Sequence, residues 1–181
     1  ELSERVTNAR RFGNNVLLLM FDVDHFKRIN DEFGHGEGDK VLIELANILR
    51  ESTRPDTDVV GRYGGEELVV ALTFESSNYE LVVKKVLKKL ADNARKSESM
   101  QKYRVTLSGG CSLVDISLNA DIDESTADAL RVADLALYKA KGPEPVDGEK
   151  ETGRNQVFFG QNTDSLSEYI PLIPNNFISY D

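Results

Sequence analysis

The sequence is short of four things: a second cysteine, a long apolar run, a surplus of positive charge and an internal repeat. Each shortage removes a class of protein. With Cys111 alone no internal disulfide forms, which fits a reducing compartment. The longest apolar run, Val16 to Phe21, falls far below the roughly 20 residues a membrane helix needs. A formal net charge of −9 argues against a protein that tracks nucleic-acid phosphates, because that task gathers Lys and Arg on one face. A nucleotide enzyme stays open, since a few local cations and metal ions suffice for one triphosphate. The chain opens without Met and without a signal-peptide pattern, so it reads as a domain cut from a longer protein. The expected location is cytoplasmic, with membrane contact only through a missing upstream region.

What is present suits one globular domain: 181 residues, 40% of them hydrophobic. The charged stretch Glu1 to Arg11 is helix-permissive and stops at Gly13-Asn14-Asn15. Val16 to Phe21 predicts a central strand buried on both faces. A short helix follows through Ile29 to Phe33. A second runs from about Asp39 to Glu51, with Val41, Leu42, Leu45, Ile48 and Leu49 on one face and Asp39 placed to cap it. Val59 to Tyr63 and Glu67 to Phe74 predict a hairpin about Gly64-Gly65, where primed turns need positive φ. A helix from Tyr79 to Arg95, a strand from Tyr103 to Val114, a helix from Thr126 to Lys141 and a strand from Gln156 to Phe159 complete the plan. This order predicts an α+β fold, an antiparallel-rich five-stranded central sheet flanked by helices. Residues 1–160 form the domain, with 142–152 a Pro-, Gly- and acid-rich loop insertion. Residues 161–181 form a tail, disordered or docked in part through its many apolar groups, Phe177 and Ile178 among them.

The chemistry concentrates in carboxylates. Asp22 ends the buried strand, where sheets of this kind present functional groups. Glu66 and Glu67 sit on the glycine hairpin. If the hairpin flanks the first strand, these acids converge, and they repel unless a divalent cation lies between them. Mg²⁺ takes one or two carboxylates and completes its octahedron with water and phosphate oxygens. Two such ions serve phosphoryl chemistry, one at the attacking hydroxyl and one at the leaving pyrophosphate. On pattern alone, the same residues serve equally as a strand end and a turn bearing solvated acids. Asp24 reads as an anchor for the following turn, and Lys84, Lys85, Lys88 and Lys89 as a solvated helix face.

Several motifs in order then carry a specific resemblance. Asp22-Val23-Asp24-His25-Phe26-Lys27-Arg28-Ile29-Asn30-Asp31, Gly34-His35, Gly38-Asp39, Arg62-Tyr63-Gly64-Gly65-Glu66-Glu67-Leu68, Ala133-Asp134, Tyr138-Lys139-Ala140-Lys141 and Gly153-Arg154-Asn155 closely resemble the GGDEF-domain diguanylate cyclases. The resemblance covers about residues 1 to 159. It implies the nucleotidyl-cyclase-like fold with a ferredoxin-like core, and the condensation of two GTP into cyclic di-GMP by a homodimer. It implies two Mg²⁺ (or Mn²⁺) ions per site, ligated by Asp22, Glu66 and the Val23 carbonyl, with Glu67 a further ligand or general base. It implies guanine recognition by Asn30 and Asp39. Phosphates would fall to the backbone around His25, Phe26 and Lys27, and to the side chains of Lys27, Lys141 and Arg154. The buried acceptor that Asp39 implies favours guanine, because adenine has no donor at N1.

The sequence also departs from the family. Pro55 stands where an Arg-x-x-Asp product-inhibition site would carry its arginine, although Asp58 matches, so a degenerate brake is expected. Leu68 replaces the usual Phe, and the insertion before Gly153 leaves the placement of Arg154 open. The alternative reading is a catalytically weak domain of the same type, acting as a GTP-binding or protein-interaction module.

Overall fold

The apolar run near the N-terminus becomes strand β1 (Asn15–Val23), and the fold is arranged about it. The computed structural model describes residues 2–75, 78–143, 153–162, 167–173 and 176–180. Around β1 the chain forms α1 (Leu2–Arg11), α2 (Phe26–Phe33), α3 (His35–Ser52), β2 (Val59–Gly64), β3 (Glu67–Phe74), α4 (Tyr79–Ala94), α5 (Glu98–Lys102), β4 (Leu107–Leu113), α6 (Ile122–Lys141), β5 (Val157–Asn162) and β6 (Ser167–Ile173). The strands make one sheet in the order β2-β3-β1-β4-β5-β6. Every pairing is antiparallel except that of β4 with β5.

Side chains alternate across a strand, so β1 feeds two cores. Leu17, Leu19, Phe21 and Val23 pack with Val41, Leu45 and Leu49 of α3 and with Leu87 and Leu90 of α4. On the other face, Val16 and Leu18 meet Val6 and Ala9 of α1 and Ala129 of α6, and Met20 meets Ala133 and Leu137 of α6. Helix α6 lies unusually close to β4. A Cβ added at Gly110 would stand 2.1 Å from the Ala133 carbonyl oxygen and 2.2 Å from the Leu137 nitrogen. Only a residue without a side chain lets the helix seat there, and that seating carries Lys141 to the end of β1.

The α+β, antiparallel-rich architecture agrees with the sequence expectation, and three details differ. There are six strands rather than five, because residues 167–173 of the tail add β6 to β5. Pro171 made that segment read as irregular, but an edge strand tolerates a residue without an N–H. Helix α3 begins at His35, with Gly34 as its N-cap, so Asp39 does not cap it and sits one turn inside. The Gly-rich start looked like a break; the packing of α2 on α3 overrides the roughly 1 kcal/mol that each helical glycine costs. Residues 103–106 are not strand. Ser97 caps the short α5 by accepting from the Met100 amide at 3.4 Å, and Arg104 adopts a left-handed φ of 48° that interrupts extended chain.

Residues 144–152, most of the expected insertion, lie outside the described residues. Beyond β6, Phe177 and Ile178 are buried in the core, and the Phe177 ring stacks on Phe21 with centroids 6.5 Å apart.

Candidate active site

Strand pairing alone gathers the central acids. Asp22, near the end of β1, lies opposite Glu67 of β3 and opposite Ser108 of β4. Glu66 precedes Glu67 in the two-residue turn after β2. Like charges directly opposed across a sheet destabilise it. The residue that relieves this pair is Lys141, whose Nζ stands 2.7 Å from Asp22 Oδ2. The pKa of Asp22 is nonetheless raised, first by burial and then by the charges of Glu66 and Asp24, against the lowering by Lys141. Glu67 is raised too, by burial first and then by Asp22 and Asp134, again against Lys141. The site therefore holds more negative charge than its own cation neutralises.

Asp24 turns away from this cluster. It is buried and accepts from Thr106 Oγ1 at 2.8 Å, Ser108 Oγ at 2.6 Å and the Asn155 amide at 2.9 Å, tying β1 to β4 and to the segment before β5.

Beside the acids a cleft of about 320 Å³ opens between α2, α3 and the hairpin. Phe26, Lys27, Asn30, Asp39 and Glu66 all line it. It adjoins a second cavity of about 430 Å³ between α3 and β2, and the two share Asp39, Leu42, Arg62 and Glu66. The Asn30 Oδ1 is buried and has no hydrogen-bond partner among the described residues. Such an orphan is costly unless a ligand satisfies it. Gly38 explains its position: a Cβ there would stand 2.0 Å from Asn30 Oδ1 and 3.1 Å from the Phe26 ring. Asp39 lines the cleft wall but is exposed, not the buried acceptor expected of it, because its position one turn inside α3 faces the open side of the cleft. His25, at a left-handed φ of 56°, precedes the first turn of α2, whose leading amides have no acceptor within the helix. That end of a helix favours anions.

The expected residues thus fall into two adjoining groups, Asp22–Glu67–Lys141 and the cleft, with Glu66 between them. His25 and Arg154 do not line the cleft. Arg154 lies beyond the end of α6, its amide donating to the Ala140 carbonyl at 2.7 Å, one residue from Lys141. Two participants carried no expected role. Arg62 closes the hairpin turn through Nε and Nη2 on the Gly65 carbonyl at 2.9 and 2.6 Å. Asp134 adds charge beside Glu67. Both stood inside motifs already recognised, but only the hairpin bulge and the course of α6 show what they touch.

Pro55, which stands where the family resemblance leads us to expect an arginine, and Asp58 border a small cavity of about 230 Å³. The neighbouring Arg54 forks onto Asp58 through Nε at 3.1 Å and Nη2 at 2.8 Å, and its Nη2 also donates to the Thr73 carbonyl. Asp58 is engaged further by the amides of Arg54 and Thr73.

Another cavity, about 710 Å³, lies at the opposite end of the sheet. It carries Asp115, Asp121, Glu124 and Asp128 and, among the described residues, no basic one, so its charge disfavours a triphosphate.

The donor set at Asp22, Glu66 and Glu67 is all oxygen and suits a hard divalent cation. Among the described residues no three acidic, thiol or imidazole groups already form a metal cage. Mg²⁺ requires none, because one or two carboxylates, water and substrate phosphates complete its shell. The uncompensated charge on Asp22 and Glu67 supplies the attraction.

Comparison with known proteins identifies the family and the fold. The family described as "Diguanylate cyclase, GGDEF domain" matches residues 1–144. Diguanylate cyclase A of Treponema denticola is 37% identical over 145 residues, 80% of this chain and 35% of the relative. The probable diguanylate cyclase DgcT of Escherichia coli is 34% identical over 162 residues, 87% of this chain and 31% of the relative. The chain therefore spans about a third of the length of these curated relatives. Among solved structures, the active GGEEF domain of a diguanylate cyclase from Vibrio cholerae superposes with a TM-score of 0.66 at 27% identity, covering 88% of this chain and 92% of that one. The GGDEF domain of DgcB from Caulobacter crescentus, in complex with c-di-GMP, gives a TM-score of 0.65 at 27% identity, covering 87% and 85%.

Proposed function

The chain belongs to the diguanylate cyclase GGDEF-domain family, and on that premise we propose that it condenses two GTP into cyclic di-GMP with release of two pyrophosphates. The observation that carries the proposal is the in-register pair Asp22 and Glu67, raised in pKa and flanked by Glu66 and Lys141 beside a cleft that holds an orphaned amide oxygen. Asp22, Glu66, Glu67 and the Val23 carbonyl would hold two divalent ions, Mg²⁺ or Mn²⁺, which supply charge stabilisation at the attacking 3′-hydroxyl and the leaving pyrophosphate. Asn30 Oδ1 and the Asp39 carboxylate accept from the guanine N1–H and amino group. Phe26 packs against the base. The amides of His25 to Lys27, with the Lys27 side chain, bind phosphate at the helix start. Lys141 and Arg154 approach it from the end of α6. Lys141, paired here with Asp22, would be released to bind substrate phosphate when that carboxylate serves as a metal ligand. Glu67 accepts the proton of the 3′-hydroxyl, a role served by its raised pKa.

One domain binds one GTP, so two domains must meet face to face about a two-fold axis for the reciprocal attacks. Incubation with GTP and Mg²⁺, resolved by nucleotide chromatography, is expected to yield cyclic di-GMP from the wild type and none from Glu67→Gln. No dinucleotide at high protein concentration would favour a GTP-binding or protein-interaction module instead.

The product brake is degenerate in this reading. Pro55 offers no guanidinium, and Arg54 is committed to Asp58 and Thr73. Added cyclic di-GMP is expected to leave the initial rate unchanged, and submicromolar inhibition would contradict this.

A further inference from the structure

The C-terminal segment is tied to the carboxylate end of the sheet at Asn155. Asn155 Nδ2 donates to the Ile178 carbonyl at 2.8 Å, and the Ile178 amide donates back to Asn155 Oδ1 at 2.7 Å. The Phe177 amide donates to the Asn155 carbonyl at 2.9 Å. The Asn155 amide in turn donates to Asp24 Oδ2 at 2.9 Å, two residues from Asp22. Two elements therefore meet at this residue, the tail and the end of β1, while the preceding Arg154 amide grips the end of α6 at Ala140. Arg154 and Asn155 both adopt left-handed φ, at 60° and 45°. Such a pair persists only where its surroundings over-determine it. The tail supplies that constraint, since Phe177 and Ile178 are buried and the Tyr180 hydroxyl donates to the Val105 carbonyl at 2.6 Å.

We propose that Asn155 is a positioning residue through which the docked segment 176–180 fixes the Gly153-Arg154-Asn155 turn, and with it the placement of Arg154 and Lys141 toward the substrate phosphates. This rests on the cyclase reading for its effect on GTP, but the brace itself is a property of the fold. Asparagine suits the position for two reasons. Its amide matches both backbone groups of Ile178, and asparagine tolerates the left-handed region better than most residues.

The test separates the two claims. Asn155→Gly keeps the left-handed backbone accessible while removing the latch. It is expected to raise KM for GTP about tenfold, as loss of an outer-shell support commonly does, with kcat within about threefold of wild type. Asn155→Asp keeps the acceptor for the Ile178 amide and is expected to fall between the two. Amide hydrogen exchange supplies a readout independent of turnover: residues 154–156 and 177–178 should lose protection together in Asn155→Gly, while β1 and β3 keep theirs. A KM within twofold of wild type with unchanged exchange would overturn the proposal. If the wild type forms no dinucleotide, the cyclase reading fails and exchange alone decides the brace.

Discussion

At the scale of residues, the site is a balance of charge that the protein alone does not close. Asp22 and Glu67 stand opposite one another, Glu66 and Asp134 add to the field, and Lys141 answers only in part. A carboxyl whose pKa is raised in the fold is protonated more readily there than in the unfolded chain. Its contribution to stability is complete below the ordinary carboxylate range and is lost as pH rises through the raised folded value. At neutral pH the Glu67 charge is thus a net cost to the metal-free fold. Glu67→Gln is expected to raise Tm at pH 7, by an amount that solvent screening keeps small, and the gain should vanish as pH falls below the ordinary carboxylate range. Thermal unfolding across pH, with chelator present, checks this. A variant less stable than wild type at neutral pH would show that the site is already neutralised. Added Mg²⁺ should stabilise the wild type more than the variant, since binding to the native state alone raises its stability.

At the scale of elements, what positions the acids is the seating of two helices. Helix α6 reaches Asp22 with Lys141 because Gly110 allows it to lie on β4. Gly110→Ala would push a methyl into the helix backbone, where no flexible side chain can yield. A loss of about 3 kcal/mol or more is expected, read as a lower urea midpoint. An unchanged midpoint would mean that α6 does not approach so closely. The same contact marks the limit of the sequence. Strand β1 was legible because Val16 to Phe21 is continuously apolar, and the hairpin because two glycines separate alternating runs. Asp22 and Glu67 were legible through the motif around them. The ion pair of Lys141 was not, because it depends on how closely α6 packs on β4, which no local pattern encodes. Nor was β6, whose partner β5 is its only reason to be extended, nor α5, five residues held by the Ser97 cap and by Met100 and Tyr103 in the core. Asp39 read as a helix cap because three glycines before it disguised the true start of α3 at His35.

At the scale of the whole molecule, one domain offers one cleft and one set of carboxylates, while the proposed reaction needs two substrates facing each other. A dimer is therefore part of the proposed mechanism, and the chain itself spans about a third of the length of its curated relatives. Reciprocal attack also fixes the stoichiometry, because each 3′-hydroxyl displaces one pyrophosphate. The most direct measurement is the initial rate of dinucleotide and pyrophosphate formation at saturating GTP and Mg²⁺ across a range of protein concentrations. The account predicts two pyrophosphates per cyclic di-GMP, a specific activity that rises with protein concentration, and loss of both products in Glu67→Gln. Cyclic di-GMP absent at every concentration, or a specific activity independent of concentration in a chain that stays monomeric, would contradict it.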